Sequence, residues 1–211
     1  MKIGIEKERK KWVIYRLLYC IGCYVFLLFI NIVTKTFHPI NLIILLVIVV
    51  VVFVVFIKQD NKIFKGIDEF NNGNYEYVIS HQKEIIKNNF YSLEKLGGIV
   101  VIMSAYKTKK DDLFLQLLEK IKISSPKLYL YEAIKTYYHF MYSILIEDNN
   151  LTENLYGKLQ ELLPYCPKLQ GLVDLLYKMH NNTIIIEELS KLEREINDDR
   201  MKNYIFSKKY L

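Results

Sequence analysis

Residues 41–57 read Asn-Leu-Ile-Ile-Leu-Leu-Val-Ile-Val-Val-Val-Val-Phe-Val-Val-Phe-Ile, a run with no charge and a single polar side chain. At 1.5 Å per residue, a helix of this length is about 26 Å long, close to the hydrocarbon thickness of a bilayer. A helix that is apolar on every side must be covered by apolar material on every side. The run therefore predicts a membrane-spanning helix.

A second apolar run, residues 12–33, precedes the first by a short loop that contains Pro39. The alternative is a cleaved signal peptide, which has a shorter apolar core and a cleavage site of small residues. The segment after the run, Thr34-Lys35-Thr36-Phe37, offers no Ala-x-Ala pattern. We therefore interpret residues 1–58 as a basic amino end and a retained helical hairpin, with spans at 12–33 and 41–57.

Basic residues flank this hairpin, in a chain whose net charge is +6. They lie before the first span and after the second, at Lys2, Lys7, Arg9, Lys10, Lys11, Lys58, Lys62 and Lys65. The loop between the spans has only Lys35 and His38. By the positive-inside rule, this asymmetry predicts a two-span protein of the cell membrane with both termini in the cytoplasm.

The same flanks favour contact with anionic lipid headgroups. Arg16 lies just inside the first span and is expected to extend its guanidinium toward the headgroups. No basic stripe with interleaved aromatic residues follows in the soluble part, which argues against nucleic-acid binding. The expected membrane partner is therefore lipid, through the basic flanks.

Three cysteines are present, and their pattern does not resemble a disulfide framework. Cys20 and Cys23 have the spacing of half a zinc or redox site. The favoured interpretation is that, with Gly22 between them, they are small residues that let the second helix approach closely.

Residues 59–211 form a soluble all-α domain in this interpretation. Their apolar residues recur at spacings of three and four, as at Leu113, Leu117, Leu118 and Ile121. Proline, Asp and Asn residues divide the region, for example at Ser124-Ser125-Pro126. The prediction is about eight helices, at 60–72, 74–88, 93–107, 111–123, 126–147, 151–163, 167–180 and 183–204.

Polar hinges separate these helices at 72–74, 109–111, 148–150 and 181–182. A period of roughly 30 to 40 residues with two helices per unit is typical of an α-solenoid. The predicted fold is thus a two-helix transmembrane hairpin followed by a soluble α-solenoid of stacked helical hairpins.

The first hinge carries the most specific motif, Phe70-Asn-Asn-Gly-Asn-Tyr-Glu-Tyr-Val-Ile79. It resembles the turn and second-helix start of a tetratricopeptide repeat, where Gly73 would permit the turn and Tyr75 would pack between the helices. The chain departs from the family at Val78, where alanine is preferred, and has only two alanines in all. Other small residues are expected at the closest helix contacts, namely Gly97, Gly98, Ser104, Gly157 and Gly171. The resemblance implies a protein-interaction fold.

No motif for nucleotide binding, zinc proteolysis or serine hydrolysis occurs in the chain. The histidines at 38, 81, 139 and 180 lack a second ligand at helical spacing. An active site would have to be assembled from scattered residues, such as His139 with Glu132 or Glu147. We therefore expect no catalytic, cofactor-binding or metal-binding residues, and a chain that is not an enzyme.

Tyrosines crowd one predicted helix, at Tyr129, Tyr131, Tyr137, Tyr138 and Tyr142. Tyr138 shares a face with Ile134 and Met141, which indicates the core. Tyr131, Tyr137 and Tyr142 are either ordinary packing residues or the lining of a partner groove, since tyrosine combines large apolar area with a polar tip.

These features favour a non-enzymatic, membrane-anchored interaction or scaffold protein. Its helical repeats would face a protein or peptide partner that is cytosolic or in the same membrane. The alternative places the function in the hairpin, because small two-span bacterial proteins often serve as immunity or accessory factors for a membrane-active toxin or a transporter. That alternative rests on analogy.

Overall fold

The computed structural model describes residues 6–34, 39–86, 92–123 and 128–209. These residues are 87% helical, and no strand occurs in the described ranges. Eleven α-helices are described: α1 Glu6–Val33, α2 Pro39–Asn71, α3 Tyr75–Ser80, α4 Gln82–Ile85, α5 Ser92–Lys107, α6 Asp111–Lys120, α7 Tyr129–Leu145, α8 Asn149–Leu162, α9 Gln170–His180, α10 Ile186–Glu195 and α11 Asp199–Lys209. The all-α prediction is confirmed.

Two predicted helices, 74–88 and 183–204, are each split in the structure, so ten helical segments replace the predicted eight after residue 58. At the first break the His81 ring and the Ser80 hydroxyl both reach the Tyr77 carbonyl, which competes with helical hydrogen bonding. At the second break Asp198 accepts from the Met201 amide at 3.0 Å and starts a new helix. The predicted cap at 124–126 lies outside the described residues.

Helices α1 and α2 pack side by side as a hairpin, and each is long and apolar enough to cross a membrane. Their apolar side chains are largely uncovered by protein. Ile43, Val47, Val51 and Val55 of α2, for instance, are all more than half exposed. Such a surface is unfavourable in water and favourable against lipid tails.

A buried ion pair joins the two helices at the base of the hairpin. The Nε and one terminal nitrogen of Arg16 each donate to an oxygen of Asp60 at 3.0 Å. The guanidinium carbon also lies 4.6 Å from the centre of the Phe56 ring. Arg16 therefore has a partner within the protein, whereas the sequence led us to expect an extension toward headgroups.

Helix α2 continues without a break from the apolar run into the hydrophobic core. Its last three turns bury Ile63, Phe64, Ile67 and Phe70, at spacings of one, three and three residues. One helix therefore presents an exposed apolar surface in its first half and a core-facing stripe in its second.

The remaining helices pack in pairs: the end of α2 with α3, α5 with α6, α7 with α8, and α9 with α10. The first helices of consecutive pairs contact one another in order, α2 with α5, α5 with α7 and α7 with α9. They share one hydrophobic core, whose fully buried members include Ile99, Val100, Ile102, Phe114, Phe140, Ile144 and Leu176.

Four turns join the helices within these pairs, and they have the same backbone structure. Each contains one residue with positive φ: Gly73 at 82°, Lys109 at 57°, Glu147 at 56° and Asn182 at 54°. In each, that residue's N–H donates to the carbonyl three residues back, and the next N–H donates to the carbonyl five back. This is the Schellman termination of a helix. The four positions are 36, 38 and 35 residues apart.

Exchanging glycine between two of these turns is expected to change stability in opposite directions. Gly73→Ala should lower the free energy of unfolding by about 1 kcal/mol, because a Cβ is strained at positive φ. Lys109→Gly should raise it by up to about 1 kcal/mol by relieving the same strain. Urea titration of the protein in detergent measures both changes, and equal signs would contradict the turn geometry.

Close helix approaches occur at three glycines of α2 and α5. A Cβ on Gly66 or Gly97 would fall within 3 Å of the Ile85 side chain, and one on Gly98 within 3 Å of Ile121. Ser104 is also buried, and its hydroxyl donates to the Val100 carbonyl. Gly22, Gly157 and Gly171 have nothing within 4 Å of such a Cβ, so the small-residue prediction is wrong for these three positions.

Candidate interaction surface

The candidate interaction surface is the contact of α5, α6 and α7 with the C-terminal segment, defined as Ile196–Lys209. Asp198 is the first residue that anchors this segment. One carboxylate oxygen accepts from Lys107 Nζ at 3.1 Å, and the other caps α11 through the Met201 amide at 3.0 Å. Asp198 is 5% exposed, and Lys107 comes from the end of α5. The start of α11 is therefore held on α5 by a partly buried ion pair.

Arg200 is the second anchor, and it contacts the start of α6, on the other side of the turn at Lys109 from Lys107. Its two terminal nitrogens donate to the two carboxylate oxygens of Asp111 at 2.7 and 2.8 Å, a forked arrangement. The same group donates to the Tyr106 carbonyl at 3.3 Å and lies 5.2 Å from the centre of that ring. It also lies 5.6 Å from the ring centre of Tyr142.

Apolar and peripheral contacts continue along α11. Met201 and Ile205, one helical turn apart, are completely buried. Farther along, the Tyr204 hydroxyl donates to Glu147 at 3.2 Å, and Lys208 Nζ lies 2.8 Å from the same carboxylate. The Lys208 ammonium holds the pKa of Glu147 below its usual range. The segment thus connects the second turn, at Lys109, with the third, at Glu147.

Two of the three tyrosines predicted to line a groove lie beneath or beside this segment. Tyr137 and Tyr142 are 8% and 7% exposed, and Tyr131 is half-buried. The ring of Tyr142 packs 5.3 Å from Phe114, and that of Tyr137 packs 5.8 Å from Tyr138. A partner would reach Tyr142 by displacing the segment, so the groove prediction stays open for these residues.

The tyrosines around Asp198 are held in the protonated form. Burial, and after it the Asp198 carboxylate, raises the pKa of Tyr106, Tyr137 and Tyr138. Their hydroxyls therefore remain hydrogen-bond donors at any physiological pH. The Tyr106 hydroxyl is fully buried, and no acceptor for it is found among the described residues.

Two clefts flank the beginning of the segment. The first, of about 250 Å³, lies between α7, α9 and Ile196 and is mostly apolar, with Met141, Leu169 and Leu172 in its wall. The second, of about 210 Å³, lies between α2, α5 and the segment and includes Met103 and Lys107. Tyr138 borders both clefts. The packing around residues 196–199 therefore leaves room on both sides.

Of the two residues of the predicted repeat turn, Gly73 and Tyr75, Tyr75 borders the second cleft. Gly73 has the left-handed φ that the turn requires. The Tyr75 ring packs 5.3 Å from Phe70 of α2, and Lys107 Nζ lies 5.5 Å from its centre. Tyr75 is thus linked through Lys107 to Asp198.

Sequence reasoning missed Lys107, Asp111, Asp198 and Arg200. The pairs Lys107–Asp198 and Asp111–Arg200 join residues about 90 positions apart, and no periodic pattern reports such contacts. The Asn197-Asp198-Asp199 cluster could have indicated the start of α11, because Asp is a preferred helix cap. It does not indicate where α11 packs.

The residues considered for catalysis take part in ion pairs and packing contacts. Glu132 pairs with Lys158 at 2.6 Å and Lys135 at 3.3 Å, and the His139 ring packs edge-on against Phe114. Across the described ranges, no three His, Cys, Asp or Glu side chains are grouped so as to hold a metal ion. The arrangement is that of a packed helical domain.

His139 should make the protein less stable as the pH falls. Burial, and after it the charges of Lys135 and Lys158, lowers the pKa of His139. Below about pH 6.5 the unfolded chain therefore takes up a proton at this position that the folded chain does not, and the free energy of unfolding decreases. His139→Gln should reduce this decrease between about pH 7.5 and 5.5. A pH profile identical in the wild type and His139→Gln would contradict the assignment.

Comparisons of this chain with known protein families, curated proteins and solved structures found no match.

Proposed function

We propose that this chain is a non-enzymatic, membrane-anchored interaction protein whose helical repeats bind a protein or peptide partner at the cytoplasmic face of the cell membrane. The observation that carries the proposal is the fourfold recurrence of one turn. Those turns lie 36, 38 and 35 residues apart, near the 34-residue period of tetratricopeptide repeats.

The packing of the pairs supports a repeat array. In an α-solenoid each helical hairpin buries its apolar face on the next, so that neighbours in sequence are neighbours in space. The contacts of α2 with α5, α5 with α7 and α7 with α9 follow this rule. Repeat arrays of this kind commonly use one extended face for binding.

The hairpin supports the location. Its exposed apolar surface suits lipid, and Arg9 donates to Asn61 at 2.8 Å, so that the start of α1 lies beside the part of α2 that follows the apolar run. The basic residues of both flanks, such as Lys10, Lys11 and Lys58, consequently gather at one end of the hairpin. Under the positive-inside rule, this clustering supports a cytoplasmic location for that end and for the helices that follow it.

Photo-crosslinking in native membranes tests this function. The full chain and its Leu169→Asp variant are compared, because Leu169 lines the apolar cleft and is only partly buried. The control is Ile186→Asp, at a side chain that is 81% exposed on α10. We expect the same crosslinked protein with the wild type and the control, and its loss with Leu169→Asp. A crosslink unaffected by Leu169→Asp, or none at all, would argue against the proposal.

A hairpin exchange separates this function from the alternative of an immunity or accessory factor that acts through its spans. Residues 12–57, apart from Trp12, Arg16 and Phe56, are replaced by an unrelated two-span hairpin that keeps the basic flanks, so that the ion pair with Asp60 is preserved. Retention of the crosslinked partner favours the repeat surface. Its loss, with correct membrane insertion, favours the hairpin.

A further inference from the structure

The C-terminal segment has the composition of a bound amphipathic peptide. Met201 and Ile205 form its buried stripe, while Lys202, Asn203 and Phe206 are exposed. Anchors at i and i+4 with a polar opposite face are how helical ligands bind grooves on other proteins. A ligand of the surface beneath α11 is therefore expected to have the same arrangement of buried apolar and exposed polar residues.

The polar anchors also fix the direction in which a helix can lie on this surface. Lys107 favours an anion and Asp111 a cation, and they lie on either side of the turn at Lys109. The segment meets them with Asp198, which caps the helix, and Arg200, two residues later. An acidic cap followed by an arginine, then apolar residues three and seven positions after the cap, satisfies every anchor of the surface.

The fit of the segment is incomplete. Clefts of about 250 and 210 Å³ border residues 196–199, and the buried Tyr106 hydroxyl has no acceptor among the described residues. A ligand that extends into these clefts, or that supplies an acceptor to Tyr106, makes contacts that the segment does not make. A free partner needs these additional contacts, because the tethered segment competes with it for the site at an effective concentration on the order of millimolar.

We propose that the surface formed by Lys107, Asp111, Tyr142 and the adjoining faces of α5 and α7 is the partner-binding site, and that the C-terminal segment occupies it in the absence of partner. The partner contributes an amphipathic helix with an acidic cap, an arginine two residues later and an apolar stripe, and this helix displaces α11. The inference rests on the proposed function and specifies the class of partner.

Binding of a synthetic peptide to the full-length protein in detergent tests the site. The probe is a fluorescent peptide of residues 196–209. In the protein variant Arg200→Glu, a carboxylate replaces the guanidinium opposite Asp111, which weakens the tethered segment and leaves the surface itself unchanged. Because apparent affinity scales with the fraction of open sites, the peptide should bind this variant at least about tenfold more tightly than the wild type. Lys202→Glu, with the same change of charge on the exposed face of α11, should behave like the wild type.

Charge reversal across the contact provides the second measurement. A peptide that carries Arg200→Glu should not bind the Arg200→Glu protein but should bind an Asp111→Arg protein. Circular dichroism shows whether each variant is folded, so that a loss of structure in one leaves the other as the test. Equal binding of the peptide to wild type, Arg200→Glu and Lys202→Glu would overturn the inference. So would a wild-type dimer, seen by light scattering, that dissociates on addition of the peptide, because the occupant would then be a second copy.

The crosslinking experiment distinguishes this inference from the proposed function. A crosslinked partner that the peptide 196–209 does not compete away leaves the function standing and overturns the site. Selective peptide binding without any crosslinked partner supports the site and counts against the function.

Discussion

Replacing Asp60 with alanine is expected to lower the free energy of unfolding by about 3–5 kcal/mol, because the variant removes one partner of a buried, doubly hydrogen-bonded ion pair with Arg16. Asp60 is 3% exposed, and it receives two hydrogen bonds from Arg16 at 3.0 Å. The rings of Trp12 and Phe56 cover the guanidinium, so water cannot replace the lost carboxylate in place. Urea or thermal unfolding in detergent measures the loss.

Two controls separate burial of the pair from charge alone. Glu84→Ala removes a carboxylate that pairs with Lys62 at 2.9 Å, but both side chains are about half exposed, so its effect should stay under about 1 kcal/mol. The double variant Arg16→Leu with Asp60→Leu removes both charges and should recover most of the stability. Equal losses for Asp60→Ala and Glu84→Ala would show that the pair is not effectively buried.

The second large effect is expected at Gly97, where α5 passes closest to α4. A Cβ there would lie 2.9 Å from the Ile85 Cγ2 and 3.2 Å from the Ile85 carbonyl oxygen. Side chains can rotate away, but the backbone oxygen moves only if α4 moves. Gly97→Val should therefore lower the free energy of unfolding by about 3 kcal/mol, at the upper end for overpacking a core.

A matched glycine on α8 gives the opposite sign. Gly157 is helical and exposed, and nothing lies within 4 Å of a Cβ built on it. Gly157→Ala should raise the free energy of unfolding by roughly 0.5–1 kcal/mol through helix propensity alone. Were Gly97→Val and Gly157→Ala to change stability equally, the close approach of α5 to α4 would be wrong.

Most of the helices could be predicted from the sequence because they depend on local patterns. The uncharged run 41–57 allows only a helix covered by apolar material, and the Gly73 turn follows from the left-handed preference of glycine. The breaks at His81 and Asp198 depend on single side-chain hydrogen bonds to the backbone, which periodicity does not register. Lys109 and Glu147 adopt positive φ without being glycine, so their turns were located by polarity and not by residue type.

The interaction surface was only partly predictable for a different reason. The crowding of tyrosines on α7 drew attention to a helix beside the proposed site, since Tyr137, Tyr138 and Tyr142 all lie near the C-terminal segment. The anchors Lys107 and Asp111 acquire their meaning from residues about 90 positions later. Contacts of that sequence separation follow from the tertiary fold and from no local signal.

The unbroken course of α2 has a mechanical consequence. The 13 residues after Lys58 add about 20 Å of helix at 1.5 Å per residue, and this unbroken helix is itself the first member of the first helix pair. With α2 in a bilayer, the proposed binding surface is held at one height and one tilt relative to the membrane, whereas a domain on a loose linker would sample a hemisphere. A change in bilayer thickness that alters the tilt of the span also changes the position of that surface relative to the membrane. Under the proposed function, the anchor would select partners by their distance from the lipid as well as by their chemistry.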